Sequence, residues 1–281
     1  MIVPGNEIAD VVTVAAHYDE LDDLYRSIWG TNLHHGYWIT GRESSDEAAT
    51  NLTRLVAERA ALRPGDRLCD LGCGYGVVAL TLRREYGAQV TGLTVSQKQY
   101  QYAIACATGD RGAEFFLRDA TQSELPPCAF DAVVAIESSE HVADKARFFS
   151  EAHRLLRSGG GCVVVAWLTR ERPGSWESKH LLEPICREGR LPSMASAQEY
   201  RMLLAQAGFR DIESFDLTER VKKTWTVCAR RFVRRSIVDP SLRRRLLDTR
   251  FANRIFAKTI FRILVAYRIG AMRYGLFSAR K

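Results

Sequence analysis

No run of 18 apolar residues occurs in the 281-residue chain; the longest candidate, Ile255 to Tyr267, is broken by Lys258 and Arg262. A membrane-spanning helix needs about 20 such residues, so none is expected. The opening MIVPGNEIADVV has neither a basic start nor a long apolar stretch, and no secretory signal is expected from it. The seven cysteines are odd in number and never fall as C-x-x-C. This argues against a disulfide or zinc framework and for reduced thiols in a cytoplasmic protein, with no metal site. Internal repeats and low-complexity tracts are lacking too. What remains is ordinary for a globular fold, 46% hydrophobic and 26% charged, and long enough for one or two domains with a sizeable core.

Acidic residues are scarce in one place only. Residues 220–281 carry 18 Lys/Arg against two Asp/Glu, whereas residues 1–219 carry 22 against 31, so the net charge of +7 hides two opposite halves. A basic tail suits nucleic acid, an anionic membrane surface or an acidic substrate. It equally suits a solvated helical face.

The middle of the chain alternates β-rich runs with helical patterns. Strands are expected at 66–71, 88–93, 113–118, 130–136, 161–168, 209–217 and 272–280, and helices between them, including 145–157 and 196–207. Such alternation predicts a parallel sheet with helices on both faces. Ser44 with Glu47, Ser96 with Gln99 and Ser196 with Glu199 read as capping boxes. Two segments stand outside the alternation. Residues 7–60 are helical but interrupted by WGTNLHHGYW (29–38), and residues 218–270 are helical and basic. The expected division is a helical cap (1–60), a core (61–217), a basic helical insertion (218–270) and a closing strand (271–281).

LCDLGCGYG (68–76) is the most informative stretch. A strand ends in Asp70, then Gly72, Gly74 and Gly76 precede a helix. Glycine lets a backbone turn tightly and a ligand approach it, and the helix start offers free N–H groups to a carboxylate or phosphate. The dinucleotide fingerprint G-x-G-x-x-G would need glycine where Val77 stands, so a nicotinamide cofactor is disfavoured.

These residues resemble the [DE]-x-G-x-G-x-G motif of class I S-adenosylmethionine-dependent methyltransferases. IWGTNLHHGYW (28–38), GLTVSQKQYQYA (92–103), IESSEHVADKARFFSEAHRLLRSGG (136–160) and AMRYGLFSARK are similar to segments of the tocopherol-methyltransferase and cyclopropane-fatty-acid-synthase branch. The resemblance covers most of residues 17–217 and the C-terminus. It implies an α/β, Rossmann-like doubly wound sheet, mostly parallel with an antiparallel last strand, carrying the helical cap and the insertion. It implies S-adenosyl-L-methionine as cofactor and S-adenosyl-L-homocysteine as product. By position, Gly72, Gly74 and Gly76 would line the methionine and ribose part and Asp70 would face the amino end. Thr94 and Gln99 would meet the ribose, Asp119 and Ala120 the adenine. Tyr18, Tyr25, Trp29 and Gly36 would belong to the segment that closes over the cofactor.

Catalytic candidates cluster after the fourth strand of the core, where open α/β sheets bind ligands. Glu137, Glu140 and His141 fall there, and two carboxylates beside an imidazole would hold its pKa near neutrality, suited to a general base. The resemblance adds roles at the Glu-His pair and at Glu137. His35 is a further candidate; His34, Tyr37 and Trp167 are candidates for the acceptor's wall. Either histidine of the 34–35 pair would orient the cap or the acceptor, or pack on Trp29 or Trp38. In the C-terminal region Arg250, Arg254, Lys258 and Arg262 recur every four residues, so that helix would rest on a membrane surface, guide an anionic acceptor, or simply be solvated.

The leading expectation is methylation of a small molecule, favoured as C-methylation of an electron-rich aromatic or prenyl-type natural product. O- or N-methylation is the alternative, then RNA methylation. No nucleic-acid partner is expected, because no binding module is recognisable and IESSEH differs from the NPPY-type loop of base methylases.

Overall fold

The computed structural model describes residues 3–4, 10–240, 244 and 256–281. Helix α1 (Val11–Ile28) starts at Asp10, whose carboxylate accepts the Thr13 N–H while the Thr13 hydroxyl oxygen accepts the Asp10 N–H. Helix α2 (Ser45–Ala60) opens with the reciprocal Ser44–Glu47 box and buries Ala48, Ala49, Leu52, Val56, Ala57 and Ala60, one stripe at helical spacing. A two-residue strand β1 (Val3–Pro4) pairs antiparallel with β7 (Ser193–Met194).

The core then runs β2 (Arg67–Leu71), α3 (Val77–Tyr86), β3 (Gln89–Thr94), α4 (Gln97–Cys106), β4 (Ala113–Leu117), β5 (Phe130–Ile136), α5 (Lys145–Leu155) and β6 (Leu156–Thr169). Short helices α6 (Ser175–Glu177) and α7 (Glu183–Glu188), joined by a π-turn, lead to β7, α8 (Ala197–Gln206) and β8 (Arg210–Asp216). Helices α9 (Thr218–Val221), α10 (Lys223–Val238) and α11 (Phe256–Ile269) precede β9 (Met272–Arg280). The expected Arg250 and Arg254 lie outside the described residues.

Seven strands form one sheet in the order β4-β3-β2-β5-β6-β9-β8. All pair in parallel except β9, which is antiparallel to β6 and β8. This is the Rossmann-like doubly wound sheet. The central strands are buried on both faces, which is why they read as unbroken apolar runs. Along β5, Val134 and Ile136 pack in one core layer with α2, α3, α10 and α11, while Val133 and Ala135 pack in the other with α5 and α8. Strand β6 begins at Leu156, five residues before the expected start, because Leu156 already pairs with Phe130; the register then shifts through a bulge, with Gly159 at φ +75°, before Gly161 pairs with Ala132. The sequence winds outward in opposite directions from β2 and β5, which opens a crevice at their carboxyl ends.

Candidate active site

A cavity of about 410 Å³ occupies that crevice. Its floor is the loop between β2 and α3. Gly72, Gly74 and Gly76 all have positive φ, +91°, +54° and +76°. A side chain at Gly72 would strike Ser138, whose hydroxyl donates to the Leu71 carbonyl at 2.5 Å, so glycine lets the ends of β2 and β5 meet. Gly74 borders the cavity, and nothing lies within 4 Å of where its Cβ would be. Gly76 is different from its expected place. It is not among the cavity-lining residues; a Cβ there would fall 2.7 Å from the Phe115 ring, so it packs behind the loop. No side chain caps the start of α3.

Asp70 is buried at the end of β2, and its Oδ2 has no hydrogen-bond partner among the described residues. Burial pushes its carboxyl up to about 7. An unpaired buried carboxylate oxygen is costly, so the site suits a ligand that brings a cation. With the open space over Gly74 and the uncapped helix start, the donor set fits a molecule carrying both an ammonium and a carboxylate. Thr94, Gln99, Asp119 and Ala120 border the same cavity. The Thr94 hydroxyl donates to Gln99 Oε1 at 2.9 Å. That bond explains why Ser96–Gln99 is only half a capping box: Ser96 Oγ accepts the Gln99 N–H, but the Gln99 side chain is turned to Thr94.

Helix α1 covers this half. Tyr18, Tyr25 and Trp29 line the cavity. The helix is fastened to the core by Asp19, which accepts from the Ser96 hydroxyl at 2.5 Å, and by Asp22, which accepts from the Tyr75 hydroxyl.

The cluster after β5 is built around Trp167. Its indole N–H donates to Glu137 Oε2 at 2.7 Å and its backbone N–H to Glu140 Oε1 at 2.6 Å. Glu137, at φ +52°, also accepts on Oε1 from the His35 backbone N–H (2.6 Å), His35 Nδ1 (3.0 Å) and the Tyr274 hydroxyl (2.5 Å). Burial raises its carboxyl, but the His35 ring and these bonds outweigh burial and hold it well below the usual range. Glu137 is therefore a carboxylate with little basicity. Glu140 goes the other way: burial, with the neighbouring Glu137 charge, raises it to about 8 against the pull of the Trp167 N–H and Lys145.

His141 corrects the expectation of a near-neutral imidazole. Burial drives it down to about 4. Its Nδ1 meets the Arg190 carbonyl at 3.4 Å and its Nε2 the Tyr18 hydroxyl at 2.8 Å. A carbonyl only accepts, so Nδ1 carries the hydrogen and Nε2 receives the Tyr18 proton.

His35 is likewise not a free base. Its Nε2 accepts from the Trp225 indole N–H at 2.7 Å and lies 3.1 Å from the Tyr267 hydroxyl, while Nδ1 donates to Glu137. Both ring nitrogens are engaged in holding four elements together. His34 borders the cavity with Nδ1 on the His35 carbonyl (2.8 Å), and its buried Nε2 has no partner among the described residues. Tyr37 is not among the lining residues. Its N–H bonds the Ala48 carbonyl and its ring packs against the core, because the backbone after His35 turns toward α2. Gly36 is held there too, its N–H on Thr224 Oγ1.

Sequence reasoning missed Trp225, Tyr267 and Tyr274, and also Thr259 and Ile263 of α11, which border the cavity. Tyr274 stands in the AMRYGLFSARK segment, but nothing in that segment points it at Glu137. No motif marks the others, and the role of all of them comes from distant packing. Among the described residues no group of His, Cys, Asp or Glu is arranged to hold a metal ion, and no helix is long and apolar enough to cross a membrane.

A doubly wound sheet with a glycine floor, an orphaned acid at the strand end and a helical cover defines an S-adenosylmethionine-dependent methyltransferase. The mycolic acid cyclopropane synthetase family profile matches residues 6–238, and the chain belongs to that family. It is 34% identical over 219 residues to the 27-O-demethylrifamycin SV methyltransferase of Amycolatopsis mediterranei (strain S699), covering 76% of this chain and 80% of that one. It is 32% identical over 231 residues to a probable chloroplastic tocopherol O-methyltransferase of Oryza sativa subsp. japonica, 75% of this chain and 63% of that protein. The crystal structure of the [4+2]-cyclase SpnF superposes with a TM-score of 0.82 at 29% identity, over 99% of this chain and 98% of that one.

Proposed function

We propose that the enzyme methylates a hydroxyl oxygen of a small, largely apolar natural product. The observation that carries the choice of oxygen is the Tyr18–His141 pair, a cavity-lining phenol already hydrogen-bonded to a neutral imidazole. A hydroxyl acceptor must lose a proton, and this pair can take it. Bound S-adenosyl-L-methionine supplies an electrophilic methyl on a sulfonium. Asp70 receives the ammonium end, Gly72, Gly74 and the start of α3 the carboxylate, Thr94 and Gln99 the ribose, Asp119 and Ala120 the adenine. Gly76 supports the loop from behind. Tyr25 and Trp29 exclude water, and Trp167, Trp225 and His34 wall the acceptor. Tyr18 accepts the acceptor's proton as its own passes to His141 Nε2, and the Glu137 carboxylate favours the imidazolium that results. Fixing the acceptor close to the methyl is worth up to about 7–11 kcal/mol. Seven unpaired cysteines, five of them buried, suit a reducing cytoplasm.

The O-methyl names of the two relatives support this reading over the carbon acceptor favoured by the sequence. Carbon methylation remains a second reading, favoured by Glu137: a buried carboxylate ringed by Trp167, Tyr274 and His35 would stabilise the cation formed when an aromatic ring attacks through carbon.

Incubation with ¹³C-methyl S-adenosylmethionine and a panel of phenols, hydroquinones and terpenoid alcohols tests the choice. The ¹³C shift of the transferred methyl separates oxygen from carbon. An O-methyl product is expected, and His141→Ala should lower turnover about 10²–10⁴-fold with cofactor affinity kept. A C-methyl product moves the assignment to the second reading. Full turnover in the His141 variant removes the relay.

A further inference from the structure

The outer faces of α10 and α11 expose large apolar side chains beside cationic ones. On α10, Arg230 and Arg234 are exposed alongside Val233, Ile237 and Val238, which are 44%, 67% and 70% accessible, and these side chains form a shallow apolar groove. On α11, Lys258, Phe261, Val265, Arg268 and Ile269 are exposed at three- and four-residue steps, so they share one helix face. Phe261, Val265 and Ile269 are 50%, 42% and 44% accessible. Neither helix contains an acidic residue. The two helices pack on each other, and their inner sides reach the acceptor space through Trp225, Thr259 and Ile263.

Large apolar side chains interleaved with arginine and lysine are poorly served by water. RNA would meet the cations but leave the apolar groups bare. An anionic lipid surface meets both: headgroups neutralise the cations, and the apolar side chains enter the boundary between headgroup and acyl chain. We propose that the outer faces of α10 and α11 dock the enzyme on an anionic lipid surface, leaving α11 as the wall between the bilayer and the acceptor cavity. Its use for collecting apolar acceptors rests on the proposed function; the lipid contact itself stands on the surface alone.

The test is co-sedimentation of the full chain with vesicles of phosphatidylglycerol and phosphatidylcholine, or of phosphatidylcholine only. Binding is expected with the anionic vesicles alone, falling steeply with salt. Arg230→Glu with Arg234→Glu, and separately Val233→Ser with Ile237→Ser, should each weaken it at least tenfold. Cofactor affinity and thermal melting of both variants should match the parent, which shows that they fold. Wild-type protein left in the supernatant with anionic vesicles overturns the proposal. So does undiminished binding by the variants, or binding to an RNA oligonucleotide in place of vesicles. Vesicle binding without methylation of any hydroxyl acceptor would retain the docking face and remove the acceptor reading.

Discussion

Glu140 is a carboxyl kept out of water beside another carboxylate, and its energetics can be separated from its chemistry. It accepts the Trp167 backbone N–H at 2.6 Å and a longer bond from the Ser139 hydroxyl, with Lys145 as its nearest cationic influence. Its carboxyl sits at about 8 in the fold, against an ordinary 4.5. Below about pH 4 the group is protonated in both folded and unfolded chains and no penalty exists. Between 4.5 and 8 the unfolded chain releases the proton and the folded chain keeps it, so stability falls as pH rises, levelling off above 8. Glu140→Gln keeps the acceptor oxygen and cannot ionise. It should therefore raise the melting temperature by several degrees at pH 8.5 and by much less at pH 4.5. Melting curves at the two pH values check this; an equal shift at both would mean that Glu140 does not carry the strain assigned to it.

Elements were legible wherever backbone chemistry is local. The Ser44–Glu47 and Ser196–Glu199 boxes start their helices as read, and the β5 run Phe130–Ile136 has the expected ends. Ser96 was half legible, because Gln99 has a second suitor in Thr94 that spacing does not reveal. The glycine loop shows the same division. Three alternating glycines look equivalent in sequence, yet Gly74 borders open space while Gly76 is pressed against Phe115 and Ala103. The two positions should separate on substitution. Gly74→Val, apart from the strain of its positive φ, fills space meant for a ligand, so cofactor binding should be lost in calorimetry while the fold survives. Gly76→Ala collides with buried atoms, so it should cost stability, of the order of 1–3 kcal/mol, before it costs affinity. Gly74→Val binding S-adenosylmethionine normally would misplace the cofactor.

At the scale of the whole molecule, the site is assembled from segments that the sequence keeps far apart, and this is where reading by motif stops. His35 belongs to a visible motif, but its partners are Glu137, Trp225 and Tyr267, with the Tyr274 ring 4.6 Å away. None could be inferred from spacing, because burial decides which polar atoms must find each other. Tyr37, two residues on in the same motif, turns away. On the proposed reading, the cofactor half is made by the core and α1, whereas the acceptor half depends on α10 and α11. Trp225 tests that division. It is buried, lines the cavity, meets Trp29 and Trp167 edge-on at 5.4 and 5.6 Å, and donates its indole N–H to His35. Trp225→Phe keeps an aromatic wall but removes that donor, a loss of about 0.5–1.5 kcal/mol for a neutral hydrogen bond, and frees the His35 ring to turn away from Glu137. The acceptor KM should rise by about 2- to 13-fold, the equivalent of that energy, while cofactor affinity stays within twofold. Steady-state kinetics with the acceptor varied, beside calorimetry with S-adenosylmethionine, separates the two halves. An equal loss in both would mean that α10 supports the whole cavity rather than its acceptor side.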